Sequence, residues 1–258
     1  MVNISVVIIA FNEERDISRC LKSVVDIADE IVVVDSFSTD KTVEIAKSFG
    51  SKVITHEFNS YIDQKNYALK QAEYNIVLSL DADEELSKKL KNSILEVKKQ
   101  GFDYDGYSMN RLTRIGDKWI NHSGWYPDTK LRLFDKTKGK WAGLNPHDEF
   151  VYYDKSNIYK LNGDLLHHSF YSFEELKKQS DKFAKLGAKA YYKKGKKAPF
   201  LKIIFNPALR FIRDYFFNKG FLHGINGIRV SYNNSHSTYL KYKYLHAFYT
   251  EKQDEKEN

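Results

Sequence analysis

In the stretch LSLDADEEL, residues 78–86, four acidic side chains, Asp81, Asp83, Glu84 and Glu85, crowd into five positions directly after an apolar run. Carboxylates that close repel one another and raise each other's pKa unless a cation or water screens them. Asp81-x-Asp83 has the chemistry of a hard-cation site: carboxylate oxygens suit Mg²⁺ or Mn²⁺, ions that keep open positions for phosphate oxygens. The competing reading is a helix start, with Asp81 or Asp83 as N-cap and Glu84 and Glu85 in the first turn, where acids favour the helix dipole.

Further candidates lie elsewhere in the chain. Asn12 and Glu13 in AFNEE and Asp35 in VVVDSFSTDKT follow apolar runs and could face a ligand. The alternative for Asn12 is an N-cap; Asp40 reads as a cap and Asp35 as a hydrogen-bond acceptor for a base or ribose. Lys65 in DQKNYAL could neutralise a phosphate or sit exposed on a helix. His147-Asp148-Glu149, beside Pro146, sets carboxylates next to an imidazole, a combination suited to taking a proton from a hydroxyl; an ordinary loop acid is the alternative. His167-His168 could give a nitrogen to the same metal or be structural. The chain has no G-x-S-x-G elbow, no G-x-G-x-x-G after the first apolar run and no G-x-x-x-x-G-K-[ST], so a carboxylate site meets phosphates only through a cation.

These residues need elements to hold them. Apolar runs at Ile4–Ile9, Ile31–Val34, Val53–Ile54 and Ile76–Leu80 each precede a stretch of helical period. Those stretches are marked by Ile17, Leu21, Val24 and Val25, by Val43, Ile45 and Ala46, by Ala68, Leu69 and Ala72, and by Leu86, Leu90, Ile94 and Val97. Alternating strand and helix predicts a parallel, Rossmann-like α/β sheet with helices on both faces, whose ligands bind beyond the strands' carboxyl ends. Past Gly101 the alternation stops; short strands are expected at Gly106–Asn110 and Lys130–Phe134, and a helix from Ser172. The expected division is a catalytic domain over 1–170, with a nucleotide-binding half 1–101 and an acceptor half 102–170. A helical, basic extension over 171–250 and a frayed tail over 251–258 complete it.

With 258 residues the chain can bury a large core, and its one cysteine, Cys20, excludes an internal disulfide and fits a reducing compartment, the cytoplasm by default. The N-terminus has no signal-peptide pattern and no run is long enough to predict a spanning helix. Charge is uneven: residues 1–150 hold 21 Lys+Arg against 24 Asp+Glu, whereas 151–250 hold 18 against 6. An excess of twelve positive charges among many aromatics points to an anionic partner or to a solvated lysine face.

Six ordered stretches, SVVIIAFNEE, EIVVVDSFSTDKTVEIA, LSLDADEEL, GWYPDTKLRLF, NPHDEF and LLHHSFYSFEEL, resemble the family-2 glycosyltransferases of GT-A fold, in particular the lipopolysaccharide core or beta-1,4-glucosyltransferase-like group. The resemblance runs from about Ile4 to about Leu245. It implies that Asn12, Glu13 and Asp35 hold the nucleoside of a sugar nucleotide, that Lys65 lies near the diphosphate, and that Asp81 and Asp83 carry Mg²⁺ or Mn²⁺ between them and the donor. It further implies an inverting transfer of a hexose, glucose by the group's label, from a UDP-sugar to a saccharide or lipid-linked saccharide. In that reading Asp148 is the base in preference to Glu149, His167 is a metal ligand in preference to His168, and Asp128, Arg132 and His147 touch acceptor or phosphate. The family usually has a single acid after this loop's histidine, whereas here two adjoin.

The segment from Phe200 to Phe216 mixes aromatic and aliphatic residues with Lys202, Arg210 and Arg213, as an interfacial helix broken at Pro207 would. It could dock on an anionic membrane, on the inner face of the inner membrane, or pack on the catalytic domain. Two other functions stay open at this point: a nucleotidyltransferase, which normally shows a glycine-rich loop that AFNEERD lacks, and a non-enzymatic basic module that binds nucleic acid or lipid. A partner nucleic acid is not expected on the resemblance.

Overall fold

The computed structural model describes residues 1–144, 147–197 and 199–257. Four parallel strands open the chain: β1 (Ile4–Ala10), β2 (Glu30–Asp35), β3 (Lys52–Thr55) and β4 (Ile76–Asp81). The helices α1 (Ile17–Val24), α2 (Thr42–Ser48) and α3 (Tyr61–Gln71) connect them. Strand residues alternate between faces, and both faces are apolar. Val6 and Ile8 join Ile17, Leu21 and Val24 of α1 in one core, whereas Val7, Val32 and Val34 pack with Ala68 and Leu69 of α3 in another. Sheet order is β3-β2-β1-β4, so the chain steps outward from β1, then returns to its other side. The carboxyl ends of β1 and β4 therefore flank the switch point at which open α/β sheets bind ligands.

Beyond β4 the sheet turns mixed. β8 (Asp128–Asp135) runs antiparallel to β4, β6 (Gly106–Ile115) antiparallel to β8, then come β11 (Ile158–Phe170) and, at the far edge, β5 (Glu84–Leu86); β7 (Lys118–Ile120) pairs with β6 off this path. β9 (Gly139–Leu144) and β10 (His147–Tyr152) form a separate hairpin sheet. The strand expectations at 106–110 and 130–134 fall inside β6 and β8. One expectation needs correcting: Glu84, Glu85 and Leu86 do not begin a helix. They pair with Leu165, Leu166 and His167 of β11, and the helix α4 (Lys88–Gln100) starts later, where the Ser87 hydroxyl accepts from the Leu90 N–H. Gly163 of β11, with φ of 100°, faces the backbone of Leu90 so closely that a Cβ would collide with it. Glycine alone lets α4 and β11 approach that far.

The chain divides into two compact units: Met1–Leu112 with Asp128–His168, and Thr113–Pro127 with Ser169 onward. Thr113–Pro127 thus groups with the C-terminal segment, not with the rest of the 102–170 stretch. In the second unit α5 (Phe173–Lys193, capped by Ser172) and α6 (Phe200–Ile212) both pack on α7 (Ile225–Glu257). Its core is small: Ile115, Ile120, Leu176 and Val230, with Trp125, Phe170 and Phe173 around them. Pro207 lies inside α6, which continues past it to Ile212 and into a π-helical turn, Arg213–Phe217. The expected break at Pro207 is absent. Helix α7 also extends beyond Thr250, since Glu, Lys and Gln are good helix formers.

Candidate active site

At the carboxyl end of β1 the backbone of Asn12 turns left-handed, with φ of 54°. Helix α1 begins only at Ile17, so Asn12 is not its cap. Instead its Oδ1 accepts from the Thr39 N–H at 2.8 Å while its own N–H donates to Ser38 Oγ at 2.8 Å. The Glu13 and Glu14 N–H groups donate to Thr42 Oγ1 and Asp40 Oδ2. Asp40 also accepts from the Thr42 N–H, so it acts as the cap-like residue of this loop. The loops after β1 and β2 are thereby stitched into one wall.

Asp35 closes β2 and is buried. Its Oδ2 accepts from the Ser38 N–H at 2.8 Å, but its Oδ1 has no hydrogen-bond partner. A buried acceptor left unsatisfied is costly and uncommon, so a donor from a ligand would suit it. Glu13 is half-buried; burial first, then the charges of Asp83 and Asp16, push its pKa up to about 8. It is therefore a neutral acid over much of the physiological range and can itself donate.

Each acid of the quoted stretch meets a basic side chain. Lys65, on α3 and buried, places Nζ 3.1 Å from Asp81 Oδ1 and 2.8 Å from Asp148 Oδ2. Arg132 of β8 reaches Asp81 Oδ2 at 2.9 Å and Glu84 Oε1 at 2.7 Å. Arg111 of β6 stands 3.5 Å from Glu84 and 2.8 Å from Asp128, which Lys130 also contacts at 3.0 Å. His167 Nε2 lies 3.1 Å from Asp83 Oδ2. On β11 the neighbouring His168 turns to the opposite face and meets Glu85 at 2.9 Å, with Arg19 4.0 Å from the same carboxylate.

These partners decide the electrostatics. Burial alone would raise the pKa of Asp81, yet Lys65 and Arg132 outweigh it and hold that carboxyl far below the usual range. Asp83 is likewise held low: its burial is overcome by His167. Burial would lower the pKa of Arg132, but Glu84 and Asp81 raise it instead, so its charge is permanent. The repulsion for which a metal or water is the expected screen is screened by side chains: Asp81 Oδ2 accepts from Arg132, while its buried Oδ1 has the Lys65 ammonium at 3.1 Å but no hydrogen bond.

The hairpin of β9 and β10 sends the paired acids to opposite faces. Residues 148 and 150 share one face of β10, 149 the other. Phe150 is buried against Phe134 and Trp141, and Asp148 on the same side meets Lys65, whereas Glu149 is exposed. Trp141 lies under both cations, 4.7 Å from Lys65 Nζ and 5.9 Å from the Arg132 guanidinium carbon. The Asn66 side chain fixes this strand by accepting from the Trp141 N–H and donating to its carbonyl, at 3.0 and 2.9 Å. Pro146 and the His147 side chain lie outside the described residues.

The first unit thus gathers Lys65, Asp81, Asp128, Arg132 and Asp148 into one ionic network through Glu84 and Arg111; the Asp83–His167 pair is coupled to it electrostatically through Asp81 and Arg111, and Glu13 to Asp83. Asn12 and Asp35 belong to the adjoining loop wall. Sequence reasoning missed Arg111, Glu84 and Trp141. The signal available was stoichiometric: four crowded acids demand several cations, and Arg111 and Arg132 both lie in strand-like stretches.

Residues 5–156 match glycosyl transferase family 2. The chain belongs to this family. Among curated relatives, an uncharacterized glycosyltransferase of Rickettsia typhi is 34% identical over 88% of this chain and 81% of its own length. The lipopolysaccharide core biosynthesis glycosyltransferase LpsC of Rhizobium meliloti is 29% identical, over 87% and 84% respectively. Among solved structures, residues 1–349 of TarS from S. aureus align over 97% of this chain and 92% of that one, at 14% identity and a TM-score of 0.44. Family-2 membership and the mixed sheet with its parallel first half bear out the GT-A fold expected. They also set the nucleotidyltransferase reading aside in favour of glycosyl transfer.

Proposed function

We propose that the chain is an inverting glycosyltransferase that moves a hexose from a UDP-linked donor to a hydroxyl of a saccharide acceptor. A relative named for lipopolysaccharide core biosynthesis favours an acceptor in cell-envelope glycan. One observation carries the mechanism: Lys65 touches both Asp81 and Asp148, at 3.1 and 2.8 Å. The D-x-D end of β4 and the hairpin carboxylate therefore stand on either side of a single ammonium.

The loop wall at Asn12, Glu13 and Asp35 receives the nucleoside, with the vacant lone pairs of Asp35 Oδ1 accepting a base or ribose donor. Lys65, released from Asp81, can pair with phosphate oxygen, while Arg132 and Glu84 keep Asp81 in place. Asp148 takes the proton of the acceptor hydroxyl as its oxygen forms the bond to the anomeric carbon; the bond to the diphosphate oxygen breaks with its electron pair leaving on UDP. Attack opposite the leaving group inverts the configuration. Asp128 with Arg111 borders this site and is the proposed acceptor contact.

The donors fit a divalent cation. Asp83 and His167 converge, offering one carboxylate oxygen and one imidazole nitrogen, and no group of three such side chains occurs among the described residues. Two protein ligands leave the remaining positions to phosphate oxygens and water, and the imidazole favours Mn²⁺ over Mg²⁺. Such an ion would neutralise charge developing on the departing diphosphate. Asp81, held by Arg132, keeps its place beside this pair when Lys65 turns to phosphate. Calorimetric titration of UDP with and without Mn²⁺ tests this. Binding that requires Mn²⁺ in the wild type and disappears in Asp83→Ala is the expected result; UDP binding that ignores both sinks the donor-site assignment.

A further inference from the structure

Helix α6 is built inside out. None of its thirteen residues is fully buried, although it is among the most apolar stretches of the chain. Leu201, Ile204, Phe205, Leu209, Ile212 and Phe216 recur at helical spacing and stand exposed in one stripe, Phe205 at 57% and Leu209 at 60%. Phe217, Phe221 and Leu222 extend it across the two short turns that follow. The opposite side is anchored by polar contacts. Asp214 is fully buried and accepts from Arg210 Nε at 2.6 Å, Asn234 Nδ2 at 2.8 Å and Asn218 Nδ2 at 3.2 Å, while Ser235 Oγ donates to the Pro207 carbonyl at 2.8 Å. A surface helix in water normally shows the reverse arrangement, and apolar patches of this extent mark interaction sites.

Charge identifies the occupant. From Phe200 to Thr250 the only acidic residue is Asp214, which is buried, whereas Lys202, Arg213 and Lys219 lie along the same stretch as the stripe. A second copy docking through the same face in a two-fold pair would set these cations against one another with no exposed acid to meet them. An anionic lipid surface supplies both the apolar interior and the negative charge. We propose that α6 and the turns to Leu222 are a monotopic membrane-docking element, lying in the plane of an anionic bilayer surface with the stripe among the acyl chains. No described helix is long and apolar enough to cross a membrane. A helix of thirteen residues, roughly 20 Å long, suits the interface plane. This deepens the proposed function by pointing to a lipid-borne acceptor, but its test needs neither donor nor acceptor.

The test is co-sedimentation of the full chain with vesicles of phosphatidylcholine alone or with about a third phosphatidylglycerol. Wild type is expected to partition onto the anionic vesicles at low salt, and at least tenfold less onto the neutral ones. The double substitution Phe205→Glu/Leu209→Glu, at exposed sites, should cut anionic partition at least tenfold with an unchanged melting temperature. Lys202→Glu should cut it about threefold or more. Unchanged UDP titration of the same variants separates this surface from the donor site. Absence of wild-type binding at low salt, or equal binding by the double variant, overturns the proposal. So does a wild-type dimer that ignores vesicles and that the double variant dissociates, because a second copy then covers the stripe.

Discussion

Asp148 and Glu149 are neighbours in sequence but not in chemistry, because a strand sends them to opposite faces. Asp148 faces Lys65, and Glu149 faces solvent. Asp148→Asn keeps the shape and removes the proton acceptor, so turnover, read as UDP release with donor and acceptor, should fall ~10²- to 10⁴-fold. Glu149→Gln should stay within about twofold. A larger loss in Glu149→Gln than in Asp148→Asn reverses the assignment. Glu13 supports a second experiment at this scale. Its folded pKa of about 8 exceeds the ordinary glutamate value of 4.5. Between those values the unfolded chain has released the proton that the folded chain retains, so wild-type stability falls as pH rises through this window. Glu13→Gln cannot ionise and escapes that loss. Its melting temperature relative to wild type should climb from pH 5 to pH 8, by roughly 2–4 °C for each kcal/mol involved. A difference that stays flat with pH denies the raised pKa.

Strand β5, three residues long, carries much of the site's order. Glu84 is fully buried, accepts from Arg132 and the Asp81 N–H, and stands near Arg111. Glu84→Ala leaves the buried Arg132 guanidinium with Asp81 as its one remaining carboxylate among the contacts named above, at a cost of ~3 kcal/mol in chemical denaturation. Glu84→Gln, which retains an acceptor, should lose less; equal losses mean that the charge is irrelevant. This is also where the sequence misled. The parallel half was legible because strands buried on both faces read as unbroken apolar runs, and their polar ends named Asp35, Asp81 and Asp83 directly. Glu84–Leu86 was not, because a three-residue edge strand is set by pairing with β11, some eighty residues away, and has no period of its own. The expected break at Pro207 failed for a similar reason: propensity against proline is local, whereas packing on α7 holds α6 together. Arg111 and Trp141 escaped because only antiparallel registers far from β4 bring them to it.

At the scale of the molecule, the two units divide the labour suggested by the two charge regimes. The near-neutral unit contains every residue of the proposed donor and base site, and the basic unit contains the apolar stripe. Ligand linkage turns that division into a measurement. A ligand that binds only the folded state stabilises it by about 2.7 kcal/mol at a hundredfold excess over its Kd. For a unit of this size, that corresponds to roughly 5–11 °C. In scanning calorimetry UDP with Mn²⁺ should raise the transition that includes the first unit by this amount. Asp83→Ala should erase the rise without lowering the unliganded transition by more than a few degrees, because Asp83 is partly exposed and held by one histidine. If the units melt separately, the second transition should stay where it is. Should UDP with Mn²⁺ move only the second transition, the nucleotide site lies among the C-terminal helices and the carboxylate network is structural.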